Sequence, residues 1–287
     1  MRFFREAGQC SRVTVSCLWL FVCFAMASGC ARTAKPPTPP VQPFPVTAES
    51  LVALLEERSA AIRTLKAQFS IQATGTAVKG TQRMEAALIY QRPNLIRLRA
   101  FARMGFPVFD LFMADGQYEV RIPMQGKSLK GSVAELDRQQ GLATPIILGL
   151  QASLGHLTGA PVLETDHIAL REEDGFHVLD IIPADLRDVG PRRFWFDPHS
   201  LEVARKDFLS ESGEIQASIV FEDYRAVGSA TPSINRPYRV LAEDSHGRTK
   251  LVLNFREIVP NADLTGQDWG TMTGEPAAVP EMPKREG

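Results

Sequence analysis

Cysteine is absent from this chain beyond its first 30 residues. The 287-residue sequence contains four cysteines, and these are Cys10, Cys17, Cys23 and Cys30. A chain that begins at Cys30 keeps a single cysteine, which excludes an internal disulfide framework and a cysteine-rich zinc site. The part that follows must be stabilised by its hydrophobic core, and a chain of this length can bury one of sufficient size.

An excess of charge of one sign is also lacking. The formal net charge is −1, from 32 basic and 33 acidic residues, and no basic stripe stands out. Binding to nucleic-acid phosphates needs clustered lysine and arginine, so we expect no nucleic-acid partner. With 44% hydrophobic and 23% charged residues, the composition is typical of a globular protein.

The sequence contains no recognisable catalytic or metal-binding motif. Neither an HExxH motif nor a GxSxG nucleophile elbow is present. Gly75–Thr81 lacks the lysine that a phosphate-binding loop places before its threonine. No metal-ligand spacing on one helix is found among the histidines His156, His167, His177, His199 and His246. We therefore predict that the protein is not an enzyme and has no catalytic residue, metal or cofactor, although a triad assembled in space would not be visible here.

The N-terminus has the pattern of a secretory signal peptide. Arg2, Arg5 and Arg12 precede an apolar run from Val13 to Ala27. This run of about 15 residues is shorter than the roughly 20 that a membrane-spanning helix needs. We therefore expect residues 1–29 to be a signal peptide.

The end of this run resembles the lipobox of bacterial lipoproteins. Small residues lead to the cysteine in Ala27-Ser28-Gly29-Cys30, with Ala27 where leucine is usual. The resemblance implies that Cys30 is the lipid-attachment residue and receives two or three acyl chains, which anchor a protein stably. Because Ala31 follows the cysteine, it also implies delivery to the periplasmic face of the outer membrane. A plain signal peptide that happens to contain Cys30 is the alternative.

Proline dominates the next segment. Six prolines fall between Pro36 and Pro45, a composition that forms neither helix nor sheet and favours an extended arm. We expect residues 30–46 to contain the lipidated cysteine and a tether, and residues 47–260 to form the folded domain. Residues 261–287 should be a mobile tail.

Apolar periodicity predicts a mostly β domain. One helix should begin at Ala48 with Thr47 as its cap, and a second should run from Thr144-Pro145 to about His156. Alternating apolar and polar residues indicate five strands from Phe69 to Ile122 and six from Phe176 to Ile258. We predict an α+β fold in which a single strongly curved antiparallel sheet of about eleven strands, a half-barrel, carries the helices on its concave face. Such a sheet leaves an apolar hollow for a hydrophobic ligand.

Three segments of this predicted sheet resemble the LolA/LolB superfamily of lipoprotein-localisation proteins, and its LolB-like members most of all. They are Phe69–Gly75, then Ala87–Arg99 with its Arg-Pro turn and Ile-Arg-Leu strand, then Arg103–Phe112 with apolar residues beside a glycine. The resemblance implies a half-barrel with a helical lid, whose apolar cavity binds the acyl chains of lipoproteins. It also implies that a membrane-anchored member accepts them from a soluble, LolA-like carrier.

The resemblance further implies a role for the loop between the third and fourth strands. In this chain the loop contains Met104 and Phe106, which would insert into lipid if they are exposed. The alternative is that both side chains pack into the protein's own core. For the neighbouring Arg97 and Arg99, a hydrogen bond to the lid and a position on an exposed strand face are both open.

The sequence therefore favours a membrane-anchored, non-enzymatic protein that binds lipid or lipoprotein and aids lipoprotein insertion in the outer membrane. Its expected partners are the acyl chains of lipoproteins, the membrane lipid and a LolA-like periplasmic carrier. One alternative is a structural envelope lipoprotein that uses the same fold to bind a protein partner. An envelope hydrolase is the third hypothesis.

Overall fold

The computed structural model of the chain describes residues 46–76, 80–132, 143–154, 161–186, 190–228 and 234–269. The predicted signal peptide, the predicted lipid-attachment residue Cys30, the proline arm to residue 45 and tail residues 270–287 lie outside the described residues. Residues 46–287 form a compact unit of their own. In the part that is described, no helix is long and apolar enough to span a membrane.

Thirteen strands and two longer helices make up the described domain. The strands are β1 (Thr64–Thr74), β2 (Gln82–Gln91), β3 (Leu95–Ala102), β4 (Pro107–Ala114), β5 (Gln117–Ile122), β6 (Lys127–Ser132), β7 (His167–Glu173), β8 (Phe176–Ile182), β9 (Arg192–Phe196), β10 (Val203–Leu209), β11 (Ile215–Val227), β12 (Ile234–Asp244) and β13 (Lys250–Pro260). The helices are α1 (Ala48–Ala60), α2 (Ala143–Leu154) and the four-residue α3 (Gly266–Trp269), and a 3-10 turn spans Pro123–Gln125.

All strands belong to one curved antiparallel sheet, in the order β6-β5-β4-β3-β2-β1-β13-β12-β11-β10-β9-β8-β7. The sheet is open, because β6 and β7 are its two edges and do not pair with each other. The predicted fold class is thus confirmed. The count exceeds the predicted eleven because both edge strands were missed. In β6, Leu129 is the one large apolar residue, and β7 has only Ile168 and Leu170, both partly buried.

The inner face of the sheet holds the core. In β1 the alternate residues Leu65, Ala67, Phe69, Ile71 and Ala73 are buried, and the same period of two continues through β2 to β5. Both longer helices pack on this face, since their buried leucines belong to the same apolar cluster. The helix α1 starts where predicted, with the Thr47 side chain accepting a hydrogen bond from the Ser50 N–H and the Ser50 side chain accepting one from the Thr47 N–H.

The outer face of the sheet carries ion pairs between neighbouring strands. Arg97 lies on this face and donates two hydrogen bonds to Asp110 of β4, at 3.1 and 2.6 Å. Arg99 is on the same face, with its guanidinium over the Phe101 ring. Because α1 and α2 pack on the opposite face, the lid alternative for these two arginines is wrong. Both lie on the outer strand face, where they are half-buried and not fully exposed.

The first nine residues of the predicted tail contact the domain. Asn261 donates from its side chain to the Ala61 carbonyl at 2.9 Å and accepts from the Arg63 N–H at 2.8 Å. In α3, Asp268 forms an ion pair with Lys66 at 2.8 Å. Residues 261–269 therefore fix the junction between α1 and β1.

Gly75 lets the β1–β2 hairpin approach the β12–β13 turn closely. Its φ is +121°, and a Cβ atom there would lie 2.2 Å from the backbone oxygen of Arg248. Gly75→Ala is expected to lower the free energy of unfolding by at least about 2 kcal/mol, because backbone strain and a clash with a backbone atom add together. Urea denaturation measures the loss.

Gly80 of the same hairpin is the matched control. Its φ is +65°, and a Cβ atom there would have no neighbour within 4 Å. Gly80→Ala therefore carries only the backbone strain, about 1 kcal/mol. Equal losses for the two variants would contradict the close approach at Gly75.

Candidate functional site

The inner face of β1–β5 is a continuous apolar surface. Register pairs across it join Phe69 with Ala86, Ala86 with Ala100, and Ala100 with Phe109. All of these side chains are buried, and Phe69 also stacks on Phe255 of β13 with ring centroids 4.7 Å apart. An apolar surface enclosed between a curved sheet and helices can hold a hydrocarbon chain.

A polar cluster ties the helices to the other half of the sheet. Arg236 of β12 donates to the Leu154 carbonyl at the C-terminus of α2, at 3.1 Å. Burial lowers the pKa of Arg236 to about 10, a shift opposed by Tyr224 and Glu202. Glu202 in turn pairs with Arg58 of α1 at 3.3 Å. Both covering helices are therefore held at one end of the sheet by charged hydrogen bonds, which are buried at Arg236 and partly buried at Arg58.

An open pocket of about 490 Å³ is found at the rim where β1 begins and β2 ends. Polar groups of Arg63, Thr64, Gln91, Arg92 and Asn261 line it. This lining suits water and polar ligands better than hydrocarbon, and the pocket is separate from the apolar inner face.

The opposite rim of the sheet carries exposed apolar side chains. Antiparallel pairing brings to this rim the connections β3–β4, β5–β6, β8–β9 and β10–β11. Among the described residues, most of the exposed large apolar side chains are found here: Met104, Phe106, Met124, Leu163, Ile182, Leu186 and Ile215. Because these apolar side chains lie at one rim, covering that rim would remove apolar surface from water.

Met104 and Phe106 are exposed, as one of the two sequence interpretations required. Met104 is 83% exposed and Phe106 59% exposed. The turn that holds them is closed by hydrogen bonds from the Gly105 N–H to the Ala102 carbonyl and from the Ala102 N–H to the Phe106 carbonyl, both 2.8 Å. The packing alternative for these two side chains is therefore wrong.

A second turn beside them was missed by sequence reasoning. Met124, in the 3-10 turn between β5 and β6, is 76% exposed, and this turn contacts β4. We call Met104, Phe106 and Met124 the apolar tip. Exposed cations flank it at Arg103 and Lys127. The sequence did contain a signal for an exposed turn residue, namely a methionine after proline in Pro123-Met124-Gln125-Gly126. Its position next to the β3–β4 loop, however, follows only from the register of the strands.

Two buried cations interrupt the apolar inner face near the other edge of the sheet. Lys206 of β10 is in register with Phe194 and Ile219, both members of the core. Burial, and then the nearby charge of Arg192, lower the pKa of Lys206 to about 7. Burial also lowers the pKa of Arg192, against an opposing effect of Asp166. Sequence reasoning named neither residue.

On the outer face of the same strand, the buried charge belongs to Asp207 and is fully paired. Asp207 is completely buried and accepts hydrogen bonds from the Trp195 indole N–H at 2.9 Å, from Arg205 at 2.7 Å and from the Ser218 hydroxyl at 2.6 Å. This group joins β9, β10 and β11. In the described part of the chain, no group of three or more histidine, cysteine, aspartate or glutamate side chains is placed to hold a metal ion.

An open, curved antiparallel sheet with helices on its apolar inner face is the fold of the LolA superfamily of proteins. A LolA superfamily protein from Nitrosomonas europaea matches this chain with a TM-score of 0.53 and 16% sequence identity, over 79% of this chain and 98% of that one. At the level of fold, this likeness supports the resemblance to the LolA/LolB superfamily that was predicted from the sequence. It does not distinguish LolB from other members.

Two further solved structures share the fold. An outer membrane lipoprotein-sorting protein domain from Vibrio parahaemolyticus matches with a TM-score of 0.55 and 12% identity, over 78% of this chain and 97% of that one. A DUF1329 family protein from Desulfovibrio piger matches with a TM-score of 0.54 and 8% identity, over 76% and 93% of the two chains. At such identities the likeness establishes the fold and not the activity. No protein-family model and no curated protein matches the sequence.

Proposed function

We propose that this chain is a lipid-anchored, non-enzymatic envelope protein that binds acyl chains on the inner face of its sheet and delivers them to a membrane at its apolar tip. The observation that carries the proposal is the joint presence of an enclosed apolar face and an exposed apolar rim on one domain. The fold shared with a lipoprotein-sorting domain and a LolA superfamily protein supports it.

The inner face supplies the driving force for binding. Transfer of hydrocarbon from water to an apolar surface is favourable by about 0.8 kcal/mol for each buried CH₂ group. The face is covered by α1 and α2 in this structure, so a bound chain has to lie between the helices and the sheet. The covering helices then act as the lid of the site, and their polar ties to β12 and to Glu202 limit how far they open.

The apolar tip supplies the contact with the membrane. Met104, Phe106 and Met124 project from two neighbouring turns, and Arg103 and Lys127 are placed to meet anionic lipid headgroups. In this proposal Cys30 carries the acyl anchor, and the proline arm holds the domain within reach of the outer membrane. The cargo is an acylated lipoprotein received from a soluble, LolA-like carrier, or a lipid of similar chain content.

A transfer assay tests the proposal. Residues 46–287 are incubated with a LolA-like carrier loaded with an acylated lipoprotein. The complexes are then separated by size to show which of the two proteins holds the lipoprotein. We expect the lipoprotein to move to this domain, and a fluorescent acyl probe to bind it and to be displaced by the same cargo. Absence of both transfer and probe binding would exclude the proposal, and cross-linking to a non-acylated protein alone would favour the partner-binding alternative.

A further inference from the structure

Lys206 occupies an unusual position on the inner face of the sheet. Only 2% of its surface is exposed, and its ammonium group lies 4.7 Å from the ring centroid of Phe208 and 5.5 Å from that of Phe194. The register neighbours Phe194 and Ile219 belong to the apolar core. A lysine that points into the core in this way replaces an apolar side chain that would pack there without a desolvation cost.

Within the described ranges, no negative charge compensates this lysine. Among the residues that the structure describes, Lys206 has neither an ion-pair partner nor a hydrogen-bond acceptor. Its charged neighbour is another cation, Arg192, which is itself buried and repels it. The contrast with Asp207, the next residue of β10, is direct, because Asp207 has three donors. The fold thus pairs the buried charge on the outer face of β10, whereas no described residue supplies a counter-charge to the one on the inner face.

A buried ammonium group beside an apolar surface forms a receptor for an anion that carries a hydrocarbon chain. We propose that Lys206 binds the carboxylate or phosphate of an anionic amphiphile whose acyl chain lies along the inner face. The inference rests on the proposed function and makes its ligand more specific. The diacylglyceryl group of a lipoprotein is uncharged, so this end of the face selects an anionic lipid or a fatty acid.

The two aromatic rings fit this role. Phe194 and Phe208 hold the Lys206 ammonium by cation–π contacts while no anion is bound, and their hydrocarbon surface continues the apolar face. A bound anion restores the charged form of Lys206, whose pKa is lowered to about 7 by burial. Ligand binding and protonation of this lysine are therefore coupled, and the pKa of Lys206 should rise when an anion is bound.

A pair of sixteen-carbon ligands tests the inference on the full chain. Palmitate and hexadecanol have the same chain length and differ in charge, and each is measured by displacement of a fluorescent acyl probe. We expect palmitate to bind at least about 10-fold more tightly than hexadecanol, because one charge-assisted hydrogen bond contributes about this much affinity. Lys206→Met should remove this preference and leave the affinity for hexadecanol within about twofold. Acetate, which has the anion and no chain, should not displace the probe.

Lys250→Met is the matched control, because Lys250 is half exposed and pairs with Glu243 away from the inner face. It should keep the preference for palmitate. Equal binding of palmitate and hexadecanol by the parent chain, or an unchanged preference in Lys206→Met, would overturn the inference while leaving the proposed function intact. If neither ligand displaces the probe, the inference is overturned, and if the probe itself does not bind and no lipoprotein is transferred, the proposed function fails with it.

A measurement on the unaltered chain makes the test independent of how the variant folds. The pKa of the Lys206 ammonium is followed by nitrogen-15 NMR with no ligand, with hexadecanol and with palmitate. We expect palmitate alone to shift the pKa upward from about 7. A pKa that palmitate does not raise would overturn the inference. We also expect Lys206→Met to melt at or above the temperature of the parent chain, because it removes an uncompensated buried charge.

Discussion

Replacing Met104 and Phe106 together with glutamate is expected to weaken the binding of residues 46–287 to anionic phospholipid vesicles by on the order of 100-fold or more. Each of these side chains is worth about 1.5–3 kcal/mol when it moves fully from water into an apolar environment, and 1.4 kcal/mol corresponds to a factor of ten. Both are largely exposed in the free domain, so little internal packing is lost in the variant. Co-sedimentation with vesicles measures the change in affinity. Because residues 46–287 do not include the predicted anchor Cys30, the measured affinity does not include its contribution.

Val259 provides the control for this experiment. It is 38% exposed and lies at the opposite rim, where β13 ends beside the start of β1. Val259→Glu should therefore bind vesicles as the parent domain does, and both glutamate variants should retain the parent's affinity for an acyl probe. Vesicle binding that survives the loss of Met104 and Phe106 would remove the membrane role of the tip. Loss of probe binding in the same variant would place these residues in the ligand site instead.

Asp207→Ala is expected to destabilise the domain by about 3 kcal/mol. The substitution removes the acceptor shared by Trp195, Arg205 and Ser218 in the centre of the outer face, and a buried pair that loses one partner typically costs about 3–5 kcal/mol. The lower end applies because the Arg205 side chain is 37% exposed and recovers part of its hydration. Urea denaturation followed by tryptophan fluorescence gives the free energy of unfolding, and Trp195 is a reporter in the affected cluster.

Asp223 offers a comparison, because it also pairs with an arginine two residues away but is not buried. It pairs with Arg225 two residues along β11 at 2.6 Å, but both side chains are close to half exposed or more. Asp223→Asn keeps a residue type that tolerates the positive φ at this position, and should leave stability unchanged within error. A similar loss at both positions would mean that the buried network around Asp207 contributes no more than an ordinary surface ion pair.

The sequence was sufficient to predict the sheet wherever one face of a strand is uniformly apolar. In β1 to β5 the alternation of Leu65, Ala67 and Phe69, and of their counterparts on the neighbouring strands, is preserved in the structure without a change of face. The cap at Thr47 was equally local, since the two hydrogen bonds that define it lie within one turn. These features depend on residues that are close in sequence, so a single sequence contains the information.

The candidate site was only half predictable for the same physical reason. Met104 and Phe106 were found through a family resemblance, but Met124 joins them because β4 and β5 pair, which is a contact between separate strands. Lys206 and Asp207 are charged residues on opposite faces of one strand, and they break the apolar alternation that marks a buried strand. Their environments come from β9 and β11, so only the register between strands identifies one as paired and the other as uncompensated.

The central claim, that acyl chains bind on the inner face, is tested most directly by photo-cross-linking. Palmitate with a photoreactive group near its terminal carbon is bound to residues 46–287, irradiated, and located by mass spectrometry of the digested domain. We predict that the cross-links fall on inward-facing residues such as Phe69, Leu98 and Phe109, and that unlabelled palmitate suppresses them. Cross-links confined to outer-face residues such as Arg97 and Glu85, or to the exposed tip alone, would contradict the account.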